Sequence, residues 1–182
     1  MKLSVIIPVY NEVESIREIV QRVQDTKLAW EILLVDDGSI DGTRDLLKEI
    51  DGKDDVRVIM HEKNQGKGAA VRTGFDNAKG DVLLIQDADL EYDPRDYPTL
   101  IKPIDEGIAD VVYGSRFLGG PRRVVMFWHM IANYLLTFMT NILYNPILSD
   151  METGYKVFRK EVIEGMPLHA KRFEWCCRGY WS

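Results

Sequence analysis

Short apolar runs return at nearly even intervals along this chain, and that recurrence limits the folds open to it more than any other feature. Leu3 to Val9, Ile32 to Val35, Val56 to Met60, Val82 to Gln86 and Asp110 to Tyr113 each read as a strand. They begin roughly 25 to 30 residues apart with helical segments between them, the pattern of an α/β chain with a mostly parallel, doubly wound sheet and helices on both faces. Val82-Leu83-Leu84-Ile85 has neither a helical period nor an alternation, as a strand covered on both sides requires. Between the strands, Val13, Ile16, Ile19, Val20 and Val23 make one apolar helical face, with Asn11 read as its N-cap and Glu14 three residues on. Leu46, Leu47 and Ile50 mark a short second helix, and Ala69, Ala70, Val71 and Phe75 a third. A polar helix is expected over 94–106. Pro8 has no N–H and needs a position where the ladder calls for no hydrogen bond.

In such sheets ligands gather where the strands end, and acids collect there. Asp36-Asp37-Gly38-Ser39-Ile40-Asp41-Gly42-Thr43 follows the second strand as turn chemistry. Asp87, Asp89 and Glu91 follow the fourth at i, i+2 and i+4, a spacing that points to one side if the chain stays extended. Two carboxylates about 5 Å apart repel by about 3 kcal/mol at an effective dielectric near 20, so the group needs a cation or stays partly protonated, unless it is simply a solvated acidic turn after a core strand. Hard oxygen donors of this kind suit Mg²⁺ or Mn²⁺ completed by phosphate and water. Gly114-Ser115-Arg116 and Arg122-Arg123 supply cations, whose guanidinium forks match phosphate oxygens.

Several classes fall away. The net charge of −6 and the lack of a Lys/Arg-rich face argue against nucleic acid. Asn64-Gln65-Gly66-Lys67-Gly68 opens a helix as a phosphate cradle would, but a P-loop needs Gly at 61 and Ser or Thr at 68, where His61 and Gly68 stand. What survives is either a helix N-terminus able to face an anion or a glycine-permitted close packing of that helix. No Gly-x-Gly-x-x-Gly follows the first strand, which excludes a nicotinamide oxidoreductase. Leu3 to Ile7 is too short for a signal-peptide core, giving a cytoplasmic expectation. Cys176 and Cys177, the only two cysteines, are adjacent and have neither a disulfide framework nor zinc spacing.

Residues 124–148 carry no charge, and their length raises the question of a membrane span. His129, Asn133, Thr137, Thr140, Asn141 and Asn145 draw a polar stripe down one side, so the segment is amphipathic. It could cover the sheet, form an oligomer interface or lie on a membrane; packing is favoured because the polar face lacks Lys and Arg. Asp150 to Arg159 then turns into another strand, and 160–165 into a short helix. The octapeptide 175–182 has no period and is read as an atypical tail behind a domain of 1–174.

Taken together, Pro8-Val9-Tyr10-Asn11-Glu12, the 36–43 turn, the stretch 64–75, the stretch 87–94 and Gly114-Ser115-Arg116-Phe117 resemble family 2 glycosyltransferases of the GT-A fold, a Rossmann-like architecture. Within that family the chain is similar to the branch that includes dolichyl-phosphate mannosyltransferases and polyprenyl-phosphate glycosyltransferases. The resemblance implies that Pro8, Tyr10, Glu12, Val35 and Asp37 hold the nucleoside. It also matches Asp87, Ala88 and Asp89 to the DXD-type element, with Asp87, Asp89 and Glu91 as ligands of Mg²⁺ or Mn²⁺. Asp89 and Arg116 are the implied catalytic pair, Arg116 also meeting phosphate, with Arg122, Arg123 and Asp150 on the acceptor side. The implied activity moves a hexose from a nucleotide diphosphate sugar to a polyprenyl or dolichyl phosphate, with peripheral contact to the inner face of a membrane. Similar proteins continue differently past Glu174, so the chain is expected to be incomplete there. The alternatives are a nucleotide-sugar-binding protein without transfer and a transferase acting on a sugar hydroxyl.

Overall fold

The computed structural model describes residues 1–114 and 154–164. The segment 124–148, the tail 175–182 and the candidates Arg116, Arg122, Arg123 and Asp150 lie outside the described residues.

The elements run β1 (Leu3–Val9), α1 (Ile16–Asp25), β2 (Ala29–Asp36), α2 (Thr43–Ile50), β3 (Val56–Met60), α3 (Lys67–Asn77) and β4 (Val82–Ile85). A 3-10 turn (Pro94–Asp96) then leads into α4 (Tyr97–Asp105), β5 (Val111–Tyr113), β6 (Lys156–Arg159) and α5 (Lys160–Glu164). The strands form one sheet in the order β3-β2-β1-β4-β6-β5. β1 pairs in parallel with β2 and β4, and β2 in parallel with β3. β6 is the exception to the parallel expectation, since it enters between β4 and β5 antiparallel to both.

Strand alternation sorts the core into two layers. Leu3, Val5, Ile7 and Val9 of β1 face one side with Ile32, Leu34 and Leu84, against Ile16, Ile19 and Val23 of α1, Leu47 of α2 and Leu100 and Ile104 of α4. Ile6, Leu33, Val35, Leu83 and Ile85 face the other side, against Ala70, Val71 and Phe75 of α3 and Ile163 of α5. Each fully buried aliphatic contributes about 1.5–3 kcal/mol of transfer free energy, so the sheet is the rigid frame of the molecule. α3 sits especially close to it: a Cβ on Gly74 would collide with the Ile6 side chain.

Pro8 shows how the frame opens at one end. Ile6 O accepts from Gln86 N at 3.0 Å and Val9 O from Asp37 N at 2.8 Å, so even-numbered β1 residues face β4. The β4 pairing stops at Ile6↔Ile85. Pro8 therefore meets no ladder on that side, as its missing N–H demands. Beyond it β1 and β4 part, at the point where the strand order 2-1-4 reverses direction. A crevice of this kind is where open α/β sheets bind ligands.

Candidate functional site

The crevice is lined by Pro8, Val9, Tyr10 and Glu12 after β1, Asp37 after β2, Asn64, Lys67 and Ala70 on α3 and the loop before it, and Asp87, Ala88 and Asp89 after β4. Its empty volume is about 580 Å³. Four strand-end segments thus meet in one place, and all the described nucleotide-side candidates except Val35 lie on its wall. Val35 is fully buried in the α3-side core, with its side chain away from the wall.

The β1 and β2 loops are stitched to each other. Asn11 takes φ 56° and is not the N-cap expected of it, because α1 begins later and has Ser15 at its N-cap. Asn11 N donates to Ser39 Oγ at 2.9 Å, and Asn11 Oδ1 accepts from Ile40 N at 2.9 Å. Glu12 N donates to Thr43 Oγ1 at 3.0 Å, and Glu12 Oε2 accepts from Ser15 Oγ at 2.6 Å. The result holds Tyr10, 46% exposed, at the crevice mouth as an aromatic face open to a planar ligand.

Asp36 and Asp37 are neighbours with different employment. Asp36 is fully buried and spends its oxygens on Gly38 N, Ser39 N and Arg44 Nε, the last at 2.8 Å. It builds the turn. Asp37, 2% exposed, reaches the crevice and fastens the loop before α3, accepting from Gln65 N at 2.9 Å and Gly66 N at 2.7 Å. His61 Nδ1 lies 2.7 Å from Asp37 Oδ1 and must be the donor, because a carboxylate only accepts; its Nε2 is 2.9 Å from Thr73 Oγ1. His61 was legible in the sequence only as a departure from a P-loop, since its partners stand 24 and 12 residues away.

On the far wall the chain leaves β4 after Ile85 and turns, with Leu90 at φ 61°. The extended alternation expected to align three acids therefore does not hold. Asp87 and Asp89 share the crevice, whereas Glu91 is exposed and does not line it, its N–H donating to Asp89 Oδ1 at 3.0 Å. No group of three acidic, His or Cys side chains able to hold a metal together occurs among the described residues. Two carboxylates nonetheless fit Mg²⁺ or Mn²⁺, which usually take one or two from the protein and complete their shell with substrate phosphate and water. Lys67 Nζ stands 2.5 Å from Asp87 Oδ1, so the first residue of α3 brings a cation to these acids, where the sequence allowed an anion-facing helix start.

Behind the loop is a polar contact absent from the sequence reading. Gln86, fully buried, donates from Nε2 to Asp87 O at 2.9 Å and accepts at Oε1 from Tyr97 OH at 2.8 Å. Burial pushes the Tyr97 phenol well above its usual pKa, keeping it a donor. Beside it, Gly154 N donates to Tyr92 OH at 2.7 Å, and a Cβ on Gly154 would lie 2.6 Å from Asp87 Oδ2. Gly154 thus packs directly against the acidic loop, and a side chain there would push on Tyr92 and Asp87.

Comparison with known proteins agrees with this geometry. Residues 4–166 match the protein family described as Glycosyl transferase family 2. A dolichol-phosphate mannosyltransferase of Pyrococcus furiosus is 37% identical over 96% of this chain and 51% of its own length. An undecaprenyl-phosphate 4-deoxy-4-formamido-L-arabinose transferase of Salmonella choleraesuis is 32% identical over 91% of this chain and 51% of its own. The chain spans about half the length of the curated relatives it matches. Among solved structures, glucosyl-3-phosphoglycerate synthase of Mycobacterium tuberculosis in complex with Mn²⁺, UDP and phosphoglyceric acid superposes with a TM-score of 0.68 at 20% identity, over 88% of this chain and 56% of that one. Staphylococcus aureus TarS gives 0.62 at 21%, over 97% and 53%. These likenesses establish the GT-A fold.

Proposed function

Since this chain belongs to glycosyltransferase family 2, we propose that it moves a hexose from a nucleotide diphosphate sugar, of GDP-mannose or UDP-glucose type, to a polyprenyl or dolichyl phosphate with inversion. The observation that carries the reading is the crevice where Asp87, Asp89 and Lys67 stand beside Tyr10, Glu12 and Asp37. The names of the two relatives, both transferases of a polyprenyl-type phosphate, support the acceptor class.

Pro8, Tyr10, Glu12 and Asp37 wall the nucleoside, Tyr10 covering the base with its ring, and Val35 supports them from the core. Ala88 packs into the core and turns Asp87 and Asp89 toward the diphosphate. Mg²⁺ or Mn²⁺ would be held by Asp87 and Asp89, with Glu91 the third acid of the loop, and would supply positive charge to the leaving diphosphate. Lys67 adds charge from the α3 N-terminus, where backbone N–H groups also favour an anion. Arg116 is assigned to phosphate, and Arg122, Arg123 and Asp150 to the acceptor side. A phosphate acceptor is already an anionic nucleophile, so none of these side chains has to remove a proton. On this reading residues 1–174 make the catalytic domain and work at the cytoplasmic face of a membrane, where a lipid acceptor resides. Among the described residues no helix is long and apolar enough to cross one.

The test is calorimetry with UDP- and GDP-sugars with and without Mn²⁺, beside a transfer assay with a short polyprenyl phosphate over a range of pH. Metal-dependent binding is expected, with turnover that shows no basic limb near neutrality. A chain that binds no nucleotide sugar refutes the reading. Binding without turnover makes it a nucleotide-sugar-binding protein, and a base requirement near neutral pH transfers the reaction to a sugar hydroxyl served by Asp150.

A further inference from the structure

The acidic loop 87–92 lacks strand pairing to hold it, yet its two crevice carboxylates must keep a fixed spacing to share one ligand. Gln86 is placed to provide that constraint. Its Nε2 donates to Asp87 O at 2.9 Å and to Tyr92 O at 3.4 Å, so one amide touches both ends of the loop. The orientation of the amide is determined by its neighbours: a flipped group would aim Oε1 at two carbonyls and waste the Tyr97 hydroxyl at 2.8 Å. Tyr97 itself is fully buried on α4, and Gln86 N is tied to Ile6 O of β1 at 3.0 Å. The bracket is therefore anchored on two rigid elements. A polar side chain without exposure at the end of an apolar strand loses hydration, which this set of contacts replaces.

We infer that Gln86, held by Tyr97, is the positioning residue that sets the spacing of Asp87 and Asp89, and thereby the affinity of the loop for a divalent cation bridged to a nucleoside diphosphate. The inference rests on the function proposed above for its ligand, but its structural half does not. Gln86 reaches neither nucleotide nor sugar in this role; it acts through the backbone carbonyls at the two loop ends. Outer contacts of this type typically change metal affinity by roughly ten- to a hundredfold when removed.

Gln86→Met keeps length and volume while removing both donors and the acceptor; Tyr97→Phe removes one anchor and leaves both loop contacts. In Gln86→Met, amide hydrogen exchange is expected to quicken across 87–92, at Glu91 N–H above all, with β1 and β2 amides unchanged. Binding of Mn²⁺ with UDP or GDP should weaken by roughly ten- to a hundredfold, while uridine or guanosine alone binds within about twofold of the parent, as independent sites do. Tyr97→Phe should shift both readouts in the same direction and less. Unchanged loop exchange, or quickened exchange with unchanged Mn²⁺-diphosphate affinity, overturns the inference. So does exchange that rises equally through the sheet with equal loss of every ligand, the signature of general destabilisation. If the parent chain binds no nucleoside diphosphate, the proposed function fails, and the exchange of 87–92 still decides whether Gln86 holds the loop.

Discussion

At the rim where the strands begin, Glu31 is 5% exposed and its carboxylate is fully occupied. Oε1 accepts from Ser4 Oγ and Lys79 N, both at 2.5 Å, and Oε2 from Arg57 Nη1 at 2.9 Å. At the rim where the strands end, among the described residues Asp87 faces the Lys67 ammonium and accepts from no backbone N–H, and Asp89 accepts from Glu91 N alone. Each rim brings a carboxylate into a partly desolvated place, Glu31 at the first and Asp87 at the second, so each must neutralise it. The first does it with fixed donors and leaves nothing for a ligand. The second sets Asp87 against a lysine ammonium rather than backbone donors, and that difference separates a structural acid from a binding one. Asp36 and Asp37, both buried and both occupied by fixed donors, stand with Glu31 on the structural side of the contrast, although Asp37 also reaches the crevice wall.

The hardest test of this contrast is Asp89→Asn. It should lower transfer by about a thousandfold, the scale for losing electrostatic stabilisation at a reacting phosphate, with the melting temperature unchanged or raised, read by initial rates and thermal unfolding. A melting temperature that fell with the rate would place Asp89 with the structural acids.

Glu31→Gln should do the opposite, lowering stability by about 1–3 kcal/mol through donors left unmatched while donor binding persists. Burial opposes Glu31 ionisation, and the hydrogen bonds from Ser4, Lys79 and Arg57 outweigh it, so its pKa lies below the ordinary 4.5. A depressed folded-state pKa contributes stability that is present above the unfolded value and is lost as pH falls through the folded one. Urea unfolding of the parent should therefore show a loss as pH drops below 4.5, and the variant should show a shallower one. Equal acid slopes would remove Glu31 from its place in the comparison.

The smallest and most discriminating effect is expected of Lys67→Met. Without the ammonium, Asp87 is open to a divalent cation, so Mn²⁺ alone should bind more tightly. UDP or GDP should bind about tenfold more weakly, the size of one charge-assisted contact. Both titrations are calorimetric, and changes of the same sign would contradict the role given to Lys67.

Much of this was legible in the chain. Val82 to Ile85 and its counterparts announce buried strands because no other element tolerates such runs beside turn chemistry. Leu46, Leu47 and Ile50, or Val71 and Phe75, mark their helices by spacing. The crevice acids after β2 and β4 followed from strand ends, whereas Pro8, Tyr10 and Glu12 after β1 came from the family resemblance. What stayed hidden involved partners remote in sequence. Asn11 carries the composition of an N-cap, but its amide serves Ile40, 29 residues on. Glu31 draws on residues 27, 26 and 48 positions away. Gln86 had one signal, a lone polar residue closing an apolar strand, but nothing local named Tyr97 as its partner.

By itself the sequence determined the alternating architecture and the strand ends at which acids gather, because both depend on local periodicity and turn chemistry, and its ordered motifs carried the resemblance to the family. Only the tertiary structure decided that β6 runs against its neighbours, that Glu91 stands off the crevice while Asp87 and Asp89 share it, and that Lys67 answers Asp87. The reason is that strand direction and the pairing of charges are settled by which segments pack together, and the free energy of that packing belongs to pairs of residues far apart along the chain.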